Sequence, residues 1–186
     1  MGRQLHFWWL AHLSGESPSA FHAANLVLFL CAVALLFAFT RRLAGRQVAA
    51  VASSFVALHY AADVPLRWAS GSQDLLALVG ALGALLWFVS GRRVLAALAL
   101  VLALLSKETV LFTPLIAAAA ARRPGEPWRA TAWRAWPLAA AVAAWVGFIM
   151  ALGGLHGVSG ASSPGLSIIP AALAHLAQVS IGLEWG

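Results

Sequence analysis

Apolar residues along this chain come in long unbroken runs, not in the short alternations of a soluble fold. Uninterrupted apolar stretches cover residues 20–40 (AFHAANLVLFLCAVALLFAFT), 47–62 (QVAAVASSFVALHYAA), 74–90 (DLLALVGALGALLWFVS), 93–105, 109–121 and 136–155 (WPLAAAVAAWVGFIMALGGL). Runs of this length predict transmembrane helices, because a hydrocarbon core of about 30 Å takes about 20 apolar residues. A last apolar segment, 168–183, holds His175 and Gln178 and is expected to be an interfacial helix or the truncated start of a further span. The pattern predicts an all-α polytopic bundle of about six spans, with residues 1–186 forming one transmembrane domain.

The two runs 93–105 and 109–121 are each short, and Ser106-Lys107-Glu108 lies between them. Fused, they would place Arg92-Arg93 and Arg122-Arg123 on opposite sides of the membrane. A short hairpin turning at 106–108 puts both pairs on one side, as the positive-inside rule favours. Such a turn requires a wet recess lined by protein. Pro114, in the second arm, is expected to kink it.

That hairpin sorts the charges. Arg41, Arg42, Arg46, Arg92, Arg93, Arg122, Arg123, Arg129 and Arg134 fall on the cytoplasmic side. Arg3, Arg67 and Lys107 fall outside, with Glu16, Asp63, Asp74, Glu108 and Glu184 and with the histidines at 6, 12, 22, 59, 156 and 175. Mixed acids, bases and imidazoles on one face mark it as the place to look for a site. The cytoplasmic loop 122–135 (RRPGEPWRATAWRA) alternates arginine with tryptophan and reads as an amphipathic segment against anionic lipid. The outer loop at 155–170 is rich in Gly, Ser and Pro, and residues 156–186 form the outer loop and terminal helix.

Composition agrees. The chain has 186 residues, 62% hydrophobic and 10% charged, and a mean hydropathy of +0.85. A soluble domain carries roughly 25% charged residues. The net charge of +6 would suggest nucleic acid in a soluble protein; here the basic residues lie between apolar runs and act as topology determinants, so no nucleic-acid partner is expected. Cys31 is the one cysteine, so no intrachain disulfide or cysteine-based metal site is possible. Residues 1–18 show no cleavable signal peptide. His6 and His12 are six apart and share no helix face, so no metal is assigned, and no cofactor is expected.

Two outer stretches carry the candidate chemistry. In LHYAADVPLRWASGSQDLL (58–76), His59, Asp63, Arg67 and Asp74 gather between two spans. Asp63 and Arg67 are spaced for an i, i+4 pair, but the intervening Pro65 argues against a regular helix. Asp74 stands where a helix begins and serves either as a cap complementing the dipole or as a site residue. Lys107 is either a lysine snorkelling to water or a compact cation for a lipid-linked phosphate. Glu108 would complement the dipole of the following helix. His22 and Asn25, at i and i+3, sit at the outer end of the first span.

The stretches SPSAFHAANLVLFLCAVALLFAFTRRL, LHYAADVPLRWASGSQDLLALVGALGALLWF and LALLSKETVLFTPL, in that order, resemble the integral-membrane GT-C glycosyltransferases, especially the branch of TMTC-like and bacterial O-mannosyltransferase-type enzymes. Leu58, His59, Trp68, Ser70, Gly71 and Asp74 match one family pattern, and Ser106, Lys107 and Glu108 match its SKE turn. RQLHFW at 3–8 is similar, more weakly, to the stretch after the family's first outer loop. The resemblance covers roughly residues 3–121. Ala62 and Val64 stand where members carry His and Glu. The family's catalytic acid lies in a first outer loop upstream of the matching region, so the resemblance implies an internal portion of such an enzyme with no catalytic base assignable.

The resemblance implies transfer of a sugar from a polyprenyl-phosphate donor to a protein or glycan acceptor, on the outer face of a bacterial cytoplasmic membrane. Lys107 and Arg67 would meet the phosphate; Asp74, Glu108, His59 and Asp63 would contact the sugar or support those contacts. The competing expectation is a non-enzymatic membrane scaffold or transporter-like subunit. A further one is an interaction subunit acting through the Arg/Trp loop.

Overall fold

The computed structural model describes residues 8–12, 17–59 and 62–151. All regular structure among them is helical. Six helices follow the short helical stretch at 8–12: α1 (Pro18–Leu58), α2 (Asp63–Arg67), α3 (Ser72–Val89), α4 (Arg93–Ser106), α5 (Thr113–Ala120) and α6 (Trp128–Ala151). Single 3₁₀ turns at Ala69–Gly71 and Glu108–Phe112 lead into α3 and α5. Ala- and Leu-rich segments favour helix intrinsically. In lipid the helix also satisfies every backbone polar group within its own segment.

The first two apolar runs, expected as separate spans, join into α1, 41 residues long, and helix continues through Arg41 and Arg42 between them. Gly45 alone breaks it, with φ 84° and ψ 175°, a conformation open essentially to glycine only. The chain doubles back there, as the reach of the backbone requires. In a straight helix Asn25 and Leu58 would lie about 50 Å apart. The seven residues from Leu58 to Pro65 reach about 25 Å at most, yet the Asn25 side chain hydrogen-bonds the Pro65 carbonyl at 3.1 Å. Thus α1 is a helical hairpin with arms on either side of Gly45.

The α3 and α4 helices pack most intimately. A Cβ on Gly80 would stand 2.8 Å from the Ala103 Cβ and 3.1 Å from the Ala99 carbonyl oxygen. Small residues at such crossings let helix backbones approach in a membrane, where dispersion contacts replace the hydrophobic drive between helices. Leu82, Leu85 and Phe88 of α3, Leu100 and Leu104 of α4, and Leu138 of α6 continue one core, reached from α1 by Ala32 and Phe39.

The chain turns at Lys107, which is extended (φ −158°, ψ 141°) between Ser106 and the 3₁₀ turn. Pro114 differs from expectation. It occupies the first turn of α5, where its missing N–H would have no helical partner, so it starts a helix and introduces no kink. The Arg/Trp loop is also shorter than expected, because Trp128–Ala135 form the first two turns of α6.

The exterior is apolar. Val27, Leu30, Val51, Phe55, Leu98, Leu102, Leu115, Ile116, Trp133, Phe148 and Met150 are all exposed, far beyond the isolated apolar patches that water tolerates. Three helices, Pro18–Leu58, Ser72–Val89 and Trp128–Ala151, are long and apolar enough to cross a membrane; Arg93–Ser106 and Glu108–Ala120 are shorter apolar segments. The chain is a membrane protein. The segment 156–186, expected to be an outer loop and terminal helix, lies outside the described residues, as do His6, Glu16, His156, His175 and Glu184.

Candidate functional site

At one end of the bundle, three segments far apart in sequence are tied together by polar contacts. The first is the start of α1. Asn25, 1% exposed, donates through Nδ2 to the carbonyls of Pro65 (3.1 Å) and Trp68 (2.9 Å). One turn earlier, His22 Nδ1 lies 3.3 Å from the Leu66 carbonyl oxygen. Asn25 thus satisfies carbonyls of a loop that no ladder serves. Asn25→Leu should take this donor from the Pro65 carbonyl and leave the Trp68 carbonyl with the Gly71 backbone N–H at 2.9 Å, lowering stability by about 1–2 kcal/mol, measurable as a lower unfolding temperature in detergent.

The second segment is the loop that Asn25 holds. Asp63–Arg67 do form a helical turn, α2, and Arg67 Nε bonds Asp63 Oδ1 at 2.6 Å. Pro65 permits this because it sits in the first turn, where no backbone N–H is needed. The pair is exposed on both sides, 75% and 54%, and an exposed pair contributes about 0–1 kcal/mol. After Trp68, the 3₁₀ turn delivers Gly71 onto the backbone of Pro65: a Cβ there would lie 2.5 Å from Pro65 Cα and closer still to its carbonyl oxygen. Only a residue without a side chain fits this crossing.

The third segment is the α4–α5 turn. Lys107 Nζ forms an ion pair with Asp74 Oδ1, across 33 residues of sequence. Gly71 occupies the N-cap position of α3, without a side-chain cap bond. Asp74 therefore lies inside the first helical turn and serves as the lysine's partner as well as a charge complementary to the helix dipole. Both side chains stay partly open, Lys107 28% and Asp74 43%. Glu108, the next residue, is exposed and opens the 3₁₀ turn.

The candidate residues therefore divide. Lys107 and Asp74 are joined, with Glu108 adjoining them. Arg67 and Asp63 pair with each other on α2. His59 ends α1 and packs its ring on Phe55, centroids 5.1 Å apart. Among the described residues no group of three or more metal-ligating side chains occurs. Sequence reasoning placed His22 and Asn25 at this end but gave Asn25 no role; an asparagine inside an apolar run was the available signal.

The opposite end is cationic. Arg42, Arg93, Arg123 and Arg134 line one cleft. Arg134 reaches Glu126 at 2.6 Å and the Ala121 carbonyl at 2.9 Å, and Arg122 stacks over Trp128, 4.2 Å from the ring centroid. Burial by itself would push the Glu126 carboxyl up; the Arg123 backbone N–H and the Arg134 guanidinium outweigh it and hold the group below its ordinary 4.5.

No family of known proteins, no curated protein and no solved structure matches this chain.

Proposed function

We propose that the chain is part of a membrane glycosyltransferase of the GT-C kind, transferring a sugar from a polyprenyl-phosphate donor at the lysine-bearing end. One observation carries the reading. The segments that bear the resemblance, at 22–25, 58–76 and 106–108, meet at one end of the bundle through Asn25, Gly71 and the Asp74–Lys107 pair. Antiparallel helices alone bring these turns to one end; the support lies in the side-chain contacts that join them there.

In this reading the lysine end faces away from the cytoplasm, because the arginine cleft occupies the other end. The two arms of α1, then α3, α4, α5 with its preceding 3₁₀ turn, and α6 make six crossings of a bacterial cytoplasmic membrane. The 14 residues of α4 rise about 21 Å, short of a core of about 30 Å. Lys107 therefore lies at the floor of a recess below the outer headgroups.

The chemistry follows from the ammonium. It has three N–H donors, one of them directed at Asp74. The other two would be available to a donor's phosphate. When the acceptor hydroxyl attacks the sugar's anomeric carbon, the bond to the phosphate oxygen breaks and the polyprenyl phosphate leaves with the electron pair. A fixed cation stabilises that growing charge more than it stabilises the intact donor. Asp74 orients the lysine, Arg67 is the second candidate for the phosphate, and Glu108, His59 and Asp63 border the same end and provide contacts for the sugar. No residue is assigned as the base that takes the hydroxyl proton.

A second reading, a non-enzymatic scaffold or transporter-like subunit, is favoured by one fact: both candidate cations at this end already have carboxylate partners. The two readings part at Lys107→Ala. Loss of a charge-assisted phosphate contact should weaken polyprenyl-phosphate binding in reconstituted membranes about tenfold to a hundredfold. Unchanged binding would remove the assignment and leave the scaffold.

A further inference from the structure

We propose that the arginine end is a separate binding site for the phosphate headgroup of an anionic membrane lipid, independent of the sugar-transfer reading. The cleft there has a volume of about 330 Å³. The four arginines that line it come from four different parts of the chain: Arg42 just before the Gly45 reversal, Arg93 at the start of α4, Arg123 in the α5–α6 loop and Arg134 in α6.

Topology alone does not explain this convergence. The positive-inside rule requires positive charge on one side of the membrane, and it is satisfied by arginines pointing apart into water. Here they line a single cleft, where like charges repel. Helix dipoles explain only part of it. Arg134 donates to the Ala121 carbonyl at the end of α5, and Arg42 donates to Ser90 Oγ at 2.7 Å beyond the end of α3, both favourable places for cations. Arg93 is the opposite case, a cation in the first turn of α4, where the dipole disfavours it. Among the described residues, neither Arg93 nor Arg123 makes a side-chain hydrogen bond or ion pair. The Glu126 carboxylate accepts the Arg134 guanidinium and the Arg123 backbone N–H, not the Arg123 side chain.

The arrangement is two arginines locked by the protein and two left with open forks. A phosphate oxyanion supplies what is lacking, since guanidinium planes bind it through paired N–H donors. A lipid headgroup and free phosphate share that chemistry. The cleft selects the lipid, because Leu43 and Val89 line it beside the arginines and offer apolar contact where an acyl chain would begin.

The test uses the whole chain in neutral detergent, with retained lipid counted by native mass spectrometry. Phosphatidylglycerol should be retained in preference to phosphatidylcholine. Arg93→Gln with Arg123→Gln should weaken that retention about thirtyfold with an unchanged unfolding temperature, as neither side chain holds the fold. Arg129→Gln removes a charge of the same loop region without lining the cleft and should have no more than a few-fold effect. Equal losses for Arg129→Gln and for the cleft variants would reduce the site to diffuse surface charge and overturn the proposal. Retention that ignores Arg93 and Arg123 would overturn it as well. Binding of inorganic phosphate with no lipid retained would assign the cleft to a soluble anion and refute the lipid.

Discussion

Gly71→Val should be the most damaging single substitution at the lysine end, lowering stability by about 3 kcal/mol or more, and Gly71→Ala should fail in the same direction. The reason is backbone, not side chain. A Cβ at residue 71 meets the main chain of Pro65, which cannot rotate away as a side-chain tip would. Overpacking a tight contact ordinarily costs about 1–3 kcal/mol. Here the displaced segment also carries the two carbonyls that Asn25 satisfies, and each lost buried bond adds to the penalty. Gly147→Ala is the internal comparison. Nothing lies within 4 Å of a Cβ there, and an alanine inside α6 should be neutral or stabilising by up to about 1 kcal/mol. Thermal unfolding of both variants in one detergent checks the contrast. Equal behaviour would mean that the loop between α1 and α3 does not cross itself as described. The glycine of the SG pair in the quoted stretch is thereby given a physical reason: it lets the loop fold over its own proline.

What was legible in the sequence was whatever depended on one segment at a time. The turn at Ser106-Lys107-Glu108 could be read because paired arginines bracket two runs too short to span alone. The apolar helices followed from length. Features set by small backbone choices were harder. The runs 20–40 and 47–62 read as separate spans with three arginines between them, yet arginine is a good helix former and only Gly45 breaks the helix. Pro65 and Pro114 looked like breakers, and both proved to sit in first turns, where proline is accepted. Contacts between segments were not legible. Asp74 is a plausible dipole complement by itself; nothing local tells that Lys107 will reach it. The arginines were expected as one-sided charge; that four of them, Arg42, Arg93, Arg123 and Arg134, meet in a single cleft is a product of the packing of α1, α3, α4, α5 and α6.

The Asp74–Lys107 pair permits a sharper separation of the two functional readings than loss of the lysine alone. The pair is partly exposed on both sides, so its contribution to stability is about 1 kcal/mol or less, and neither single neutral variant should unfold the chain. Lys107→Met keeps the length of the side chain and removes the cation. It should reduce polyprenyl-phosphate binding as far as Lys107→Ala does, about tenfold to a hundredfold. Asp74→Asn has the opposite sign. It removes the charge that competes with the phosphate for the ammonium, so binding should be retained or become tighter. The double variant should bind as poorly as Lys107→Met, because restoring neutrality does not restore the cation. A structural ion pair gives a different pattern. Asp74→Asn and Lys107→Met would then have equal small effects on unfolding, the double variant would cost no more than either single, and none of the three would discriminate polyprenyl phosphate from a neutral polyprenol. The sign of the Asp74→Asn effect on binding therefore decides between a lysine that awaits a phosphate and one already serving its carboxylate.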